Sequence, residues 1–204
     1  MKRIAFTGDI GFSSKYFRGT YEKEDLLHPD LVEYLRDTDY TVVNVEGCVC
    51  KGLGSADKPI VHANPPECID FLKKINGNVW NLSNNHIMDC GRAGLEATLK
   101  IAAENGVPTI GVGLNEDQAA KPVILENDGA DIGLISLTYE ETPPATADSE
   151  GIIRWEHGKD RRDDRTGEED LPLVHRECPC RPGILPDDAR RHAEDLQKLS
   201  EAGC

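Results

Sequence analysis

Tyr40-Thr41-Val42-Val43-Asn44-Val45-Glu46-Gly47 is the stretch on which the fold turns. It is a nearly continuous β-branched run, which reads as a strand buried on both faces. Strands of that kind belong to parallel sheets covered by helices. The run stops at Glu46-Gly47, a carboxylate followed by a turn residue. Outward from it, strands and helices alternate. Arg3–Thr7 reads as a strand ending at Gly8-Asp9, and Pro29–Arg36 as a helix with proline in its first turn. Pro65-Pro66 opens a helix through Ile75 that Asn76-Gly77 closes. Val79–Leu82 reads as a strand ending at Ser83-Asn84-Asn85-His86. A helix over Ala93–Ala103 and a strand over Thr109–Gly111 follow. Lys121–Glu126 and Ile132–Thr138 flank Asn127-Asp128-Gly129, a hairpin signal. The expected class is α/β, a mostly parallel sheet with covering helices.

The chain has 204 residues, with 23 basic against 37 acidic side chains and a net charge of −14. That balance argues against a nucleic-acid partner or an anionic membrane surface, both of which need clustered Lys and Arg. No apolar run approaches the about 20 residues of a membrane span. The N-terminus lacks the apolar core of a signal peptide, so a cytoplasmic location is expected. Seven cysteines, an odd number, favour free thiols over a disulfide framework. Three regions are expected: residues 1–139 as the α/β part, 140–185 as a charged, loop-rich linker, and 186–204 as a C-terminal helix.

In parallel sheets, ligands sit beyond the carboxyl ends of the strands. Three strand ends here carry groups able to hold a metal: Asp9, Glu46 and the Asn85-His86 pair. Taken alone, Asp9 reads first as a turn or capping residue, and Glu46 equally as the point where its strand reaches solvent. Together they offer two carboxylates, an amide oxygen and an imidazole. Oxygen and nitrogen donors of this mix suit Mn²⁺, Fe²⁺, Mg²⁺ or Zn²⁺. Two such ions about 3.5–4 Å apart could share Glu46 as a bridge and activate water, with His86 protonating the leaving group.

Phe6-Thr7-Gly8-Asp9-Ile10, Val43-Asn44-Val45-Glu46-Gly47 and Asn84-Asn85-His86-Ile87-Met88-Asp89-Cys90-Gly91, continuing to Leu99, carry a resemblance. They resemble, in order and spacing, the poly-γ-glutamate capsule-synthesis (CapA-type) family. Gly111-Val112-Gly113-Leu114-Asn115 and Ala119-Ala120-Lys121-Pro122 fit as well. The resemblance spans residues 2 to about 139. It implies a fold like that of calcineurin-like metallophosphoesterases, an αββα sandwich with a divalent-metal site, mononuclear or dinuclear, at the strand ends. It implies Asp9, Glu46 and Asn85 as metal ligands, His86 as the acid, and Asn84 and Asp89 as groups orienting them. The implied substrate is an anionic small molecule or polymer, with hydrolysis or transfer at a phosphoester or a γ-glutamyl amide. The alternative is a non-catalytic binding or assembly subunit of a polymer-synthesis complex. The His-Trp-Gly and Gly-His-His-Pro-His motifs of the family's second half do not occur, so the chain reads as an N-terminal part.

Weaker signals read more plainly. Cys48-Val49-Cys50 and Cys178-Pro179-Cys180 have spacers too short for an ordinary zinc site, so free thiols are expected. Gly111-Val112-Gly113 lacks the third glycine of a dinucleotide fingerprint. The long loop Gly47–Asn64 could close over a substrate. Its Lys51, Lys58 and His62 read as solvated, with contact to an anionic group as the alternative.

Overall fold

The computed structural model describes residues 2–12, 27–51, 61–138 and 142–154. Strand β1 (Ile4–Ile10) leads through helix α1 (Pro29–Arg36) to β2 (Tyr40–Val45). Two short strands, β3 (Cys48–Val49) and β4 (Ala63–Asn64), precede helix α2 (Cys68–Lys74) and strand β5 (Val79–Asn81). Helix α3 (Gly91–Glu104) leads to β6 (Thr109–Ile110) and β7 (Val112–Gly113). The short helix α4 (Glu116–Ala119), the strands β8 (Val123–Leu125) and β9 (Ile132–Leu134), and β10 (Gly151–Ile152) complete the described chain.

The central sheet is parallel, in the order β1-β2-β5-β6. Each parallel step is made through a helix, since parallel neighbours need a long crossover. The β2 run is buried on both faces, as its composition predicts. Val43 and Val45 belong to a core with Leu72 and Ile75 from the α2 region, Trp80, Leu82 and Leu95. Val42 joins the opposite cluster, with Val79, Ile110 and Leu125 of the antiparallel β8–β9 hairpin. Helices therefore cover one face of the sheet and a second, smaller sheet covers the other. This is an α/β fold with a mostly parallel sheet, consistent with part of a metallophosphatase-like sandwich.

Several boundaries differ from the sequence reading. β1 runs on to Ile10, so Asp9 lies within the strand instead of beyond it. The cause is a bulge: Phe6 pairs with Val42 but Asp9 with Asn44, which leaves one extra residue around Gly8. The helix after Pro65-Pro66 starts only at Cys68, because those prolines form a turn first. The strand at Thr109 breaks at Gly111, whose φ of +85° turns the chain away. Strands β8 and β9 are each shorter than expected. Part of the segment read as a linker packs: Ile152 is fully buried in the core, and β10 pairs with β7. The remainder of that linker and the helix expected over 186–204 lie outside the described residues.

Burial also sets the chemistry of Cys68, which no solvent reaches. Desolvation first, then the charges of Glu67 and Asp70, push its thiol from 9.0 up to about 12. Cys68 is therefore expected to resist iodoacetamide at pH 8 in the native chain and to react in urea, read by peptide mass spectrometry. Because the unfolded thiol ionises first, its contribution to stability is complete below pH 9 and is lost as pH rises towards 12. Leu72→Ala, which empties a fully buried position, should lower unfolding free energy by about 2–5 kcal/mol in urea melts.

Candidate metal centre

The centre starts from three backbone anchors around Glu46. The Glu46 amide donates to Ile10 O at 3.0 Å, which ties it to the end of β1. The Asn64 amide nitrogen donates to Glu46 O at 2.8 Å, while its oxygen accepts from the Phe12 amide at 2.6 Å. Asn84 grips the chain on either side: its Nδ2 donates to Val45 O at 2.9 Å and its Oδ1 accepts from Gly47 N at 3.2 Å. The same Oδ1 accepts from the His86 amide at 3.1 Å. One buried amide thus fixes both the Glu46 backbone and the start of the turn that carries His86. Thr142 completes it by donating to Asn84 O at 3.1 Å.

The side chains converge in front of those anchors. Glu46 Oε2 lies 3.8 Å from His62 Nδ1, and Glu46 Oε1 lies 3.9 Å from His86 Nε2. The two imidazoles stack with centroids 4.1 Å apart and planes 38° apart. One ligand atom from each of Glu46, His62 and His86 falls within 4.8 Å of the others. All three side chains are about four-fifths buried, with 18–24% of their surface exposed. Behind them, the fully buried Asp89 accepts from the His62 amide at 2.9 Å and lies 2.7 Å from His86 Nδ1. A carboxylate accepts, so His86 Nδ1 is the donor to Asp89, and Nε2 is turned toward Glu46.

Gly47 lets this happen. Its φ is +83°, and a Cβ there would lie 2.3 Å from His62 O. The His62 segment can therefore lie directly against the turn after Glu46, held by the β3–β4 pairing.

The other residues expected from sequence sit nearby. Asp9 is exposed, accepts a short hydrogen bond from Asn44 Nδ2, and lies outside the Glu46–His62–His86 group. Asn44 Oδ1 accepts in turn from Asn81 Nδ2 at 3.1 Å. Asp9, Asn44 and Asn81 are thus one row across three strands in register. Asn85 is half-buried between Asn84 and His86.

Residues 3–203 match the family of the Bacterial capsule synthesis protein PGA_cap. The chain belongs to this family. The match runs past residue 139, where the motif resemblance stops. Over 138 residues the chain is 30% identical to the PGA biosynthesis protein CapA of Bacillus subtilis, covering 66% of this chain and 36% of that protein. It is 26% identical over 164 residues to the capsule biosynthesis protein CapA of Bacillus anthracis, covering 74% of this chain and 40% of that one. A probable polyglutamine synthesis accessory protein of Mycobacterium tuberculosis is 32% identical over 77 residues, 37% of this chain and 20% of that protein. The chain thus spans well under half the length of these relatives.

Within this PGA_cap chain, sequence reasoning read His62 as solvated, with contact to an anionic group as the alternative, and passed over Asn64. His62 follows residues outside the described ones, and only the glycine after Glu46 hinted that another segment packs there. The Asn84 anchor yields a direct prediction. Asn84→Ala strips partners from Val45 O and Gly47 N, costing about 1–3 kcal/mol in thermal or urea melts. Mn²⁺ affinity measured by calorimetry should fall about 10–100-fold with it.

Proposed function

We propose that this chain carries a divalent-metal centre of hydrolase type, serving capsule-polymer synthesis in the manner its family suggests. The observation that supports this most is the Glu46 carboxylate set between the His62 and His86 imidazoles, with Asp89 behind. The Glu46 carboxylate and the His62 imidazole, with oxygens from Asp9 and Asn85, fit Mn²⁺, Fe²⁺ or Zn²⁺ better than Mg²⁺, which prefers oxygen alone. A carboxylate holding the far nitrogen of a ligating or catalytic histidine is the usual outer support of such sites. A cation there supplies Lewis-acid activation of water and of a phosphoryl or acyl oxygen.

The chain's residues divide the remaining work. Glu46 and His62 hold the cation, and Asp9 and Asn85 offer further oxygens from the neighbouring strand end and turn. Asn84 fixes the Glu46 backbone, and Asp89 fixes both histidines. His86, its Nδ1 donating to Asp89, acts in its doubly protonated form and hands the Nε2 proton to the leaving group. The substrate class is a phosphoester or a γ-glutamyl amide. A second reading, a binding or assembly role on the same fold, is favoured by the word accessory in the name of the mycobacterial relative.

Calorimetry with Mn²⁺ and Zn²⁺ tests the centre first. The wild-type chain should bind, Glu46→Ala should abolish binding, and His62→Ala should weaken it at least about tenfold. Wild-type heats no different from those of Glu46→Ala overturn the reading. In the full-length gene product, His86→Ala should cut hydrolysis of a generic phosphodiester with Mn²⁺ by about 10²–10⁴-fold while keeping metal affinity. Metal binding without any turnover in the wild type selects the assembly role.

A further inference from the structure

Two cysteines meet beside this centre. A Cβ placed on Gly94 would lie 2.3 Å from Cys90 Cβ, 3.0 Å from Cys48 Sγ and 3.4 Å from Cys48 Cβ. Only glycine leaves the room in which both side chains converge over the first turn of α3. Cys48 is fully buried, and its thiol donates to Ile87 O at 2.7 Å. Cys90 is half-buried and caps α3. Cys48 stands two residues after Glu46, and Cys90 directly follows Asp89.

We propose that Cys48 and Cys90 form a redox-modifiable pair that closes to a disulfide when a small disulfide, such as oxidised glutathione, serves as oxidant. Cys90, the more accessible thiol, gives its proton to solvent and displaces one thiolate from the small disulfide, leaving a mixed disulfide. Cys48 then loses its proton, attacks the Cys90 sulfur and releases the second thiolate. The two protein thiols lose two electrons, which leave with two molecules of the small thiol; the released protons return to those thiolates.

Closure brings the two Cβ atoms to about 3.5–4.5 Å and takes the Cys48 thiol from Ile87 O. The cross-link then joins the segment after Glu46 to the turn carrying His86 and Asp89. Asp89 orients both histidines, so strain in that turn reaches the centre. This consequence rests on the metal reading above; the cross-link itself does not.

The test uses the whole chain, reduced, freed of reductant and then incubated with oxidised glutathione. Peptide mapping should show a Cys48–Cys90 linked peptide that disappears on reduction. Zn²⁺ affinity of the oxidised chain should be about tenfold weaker than that of the reduced chain. Cys90→Ser, treated identically, should keep the reduced-state affinity. Cys48 and Cys90 remaining thiols while Cys178, Cys180 or Cys204 are oxidised overturns the proposal. A linked peptide with unchanged Zn²⁺ affinity overturns the coupling to the centre. Absence of Zn²⁺ binding in the reduced chain defeats the metal reading, and the linked peptide still decides the thiol pair.

Discussion

A carboxylate sealed from solvent costs several kcal/mol unless charge or hydrogen-bond donors surround it, and Asp89 is such a carboxylate. Its Oδ2 is met by the His62 amide and by His86 Nδ1. That demand fixes two things at once. It sets the orientation of the His86 ring, and it docks the segment that delivers His62. Neither histidine is near the other in sequence. They stack at 4.1 Å because one buried acid holds the backbone of the first and the ring of the second.

Side-chain amides do the remaining assembly. Asn64 joins the Phe12 amide to Glu46 O, and Asn84 joins Val45 O, Gly47 N and the His86 amide. Amides suit this seam because each offers both donors and acceptors without a charge. A charged group in the same place would add to the field of Glu46 and Asp89. The sheet below supplies rigidity: Val43 and Val45 lock β2 into the helix-side core, so the turn at Glu46-Gly47 starts from a fixed strand end.

How much of this was legible in sequence follows from what local patterns record. The β2 run announced itself because burial on both faces excludes polar alternation. The parallel order followed from helices lying between strands. Glu46 and the Asn84-Asn85-His86 turn were visible because each ends an apolar run. The Asp9 strand was misjudged in length because a bulge at Gly8 breaks the period of two on which strand reading rests. His62 was hidden for a different reason. Its place is set by β3–β4 pairing and by the Asp89 hydrogen bond, both long-range, and the two-residue strands involved have no periodicity to read.

The charge of the whole chain gives the centre its last constraint. At −14, the protein repels a polyanionic substrate at long range, although salt screens that repulsion beyond about 10 Å. Recognition of an anion at the proposed centre would therefore depend on the charges within it. There, the carboxylates of Glu46 and Asp89 oppose an anion. On the proposed reading, a divalent cation held there would balance the two carboxylates and turn the local field from repulsive to permissive. Glu46, His62 and His86 also shield that space from water, since each keeps only about a fifth of its surface in solvent. Affinity for an anionic group and affinity for the cation should thus rise and fall together at Glu46, whose two oxygens face the two imidazoles at 3.8 and 3.9 Å.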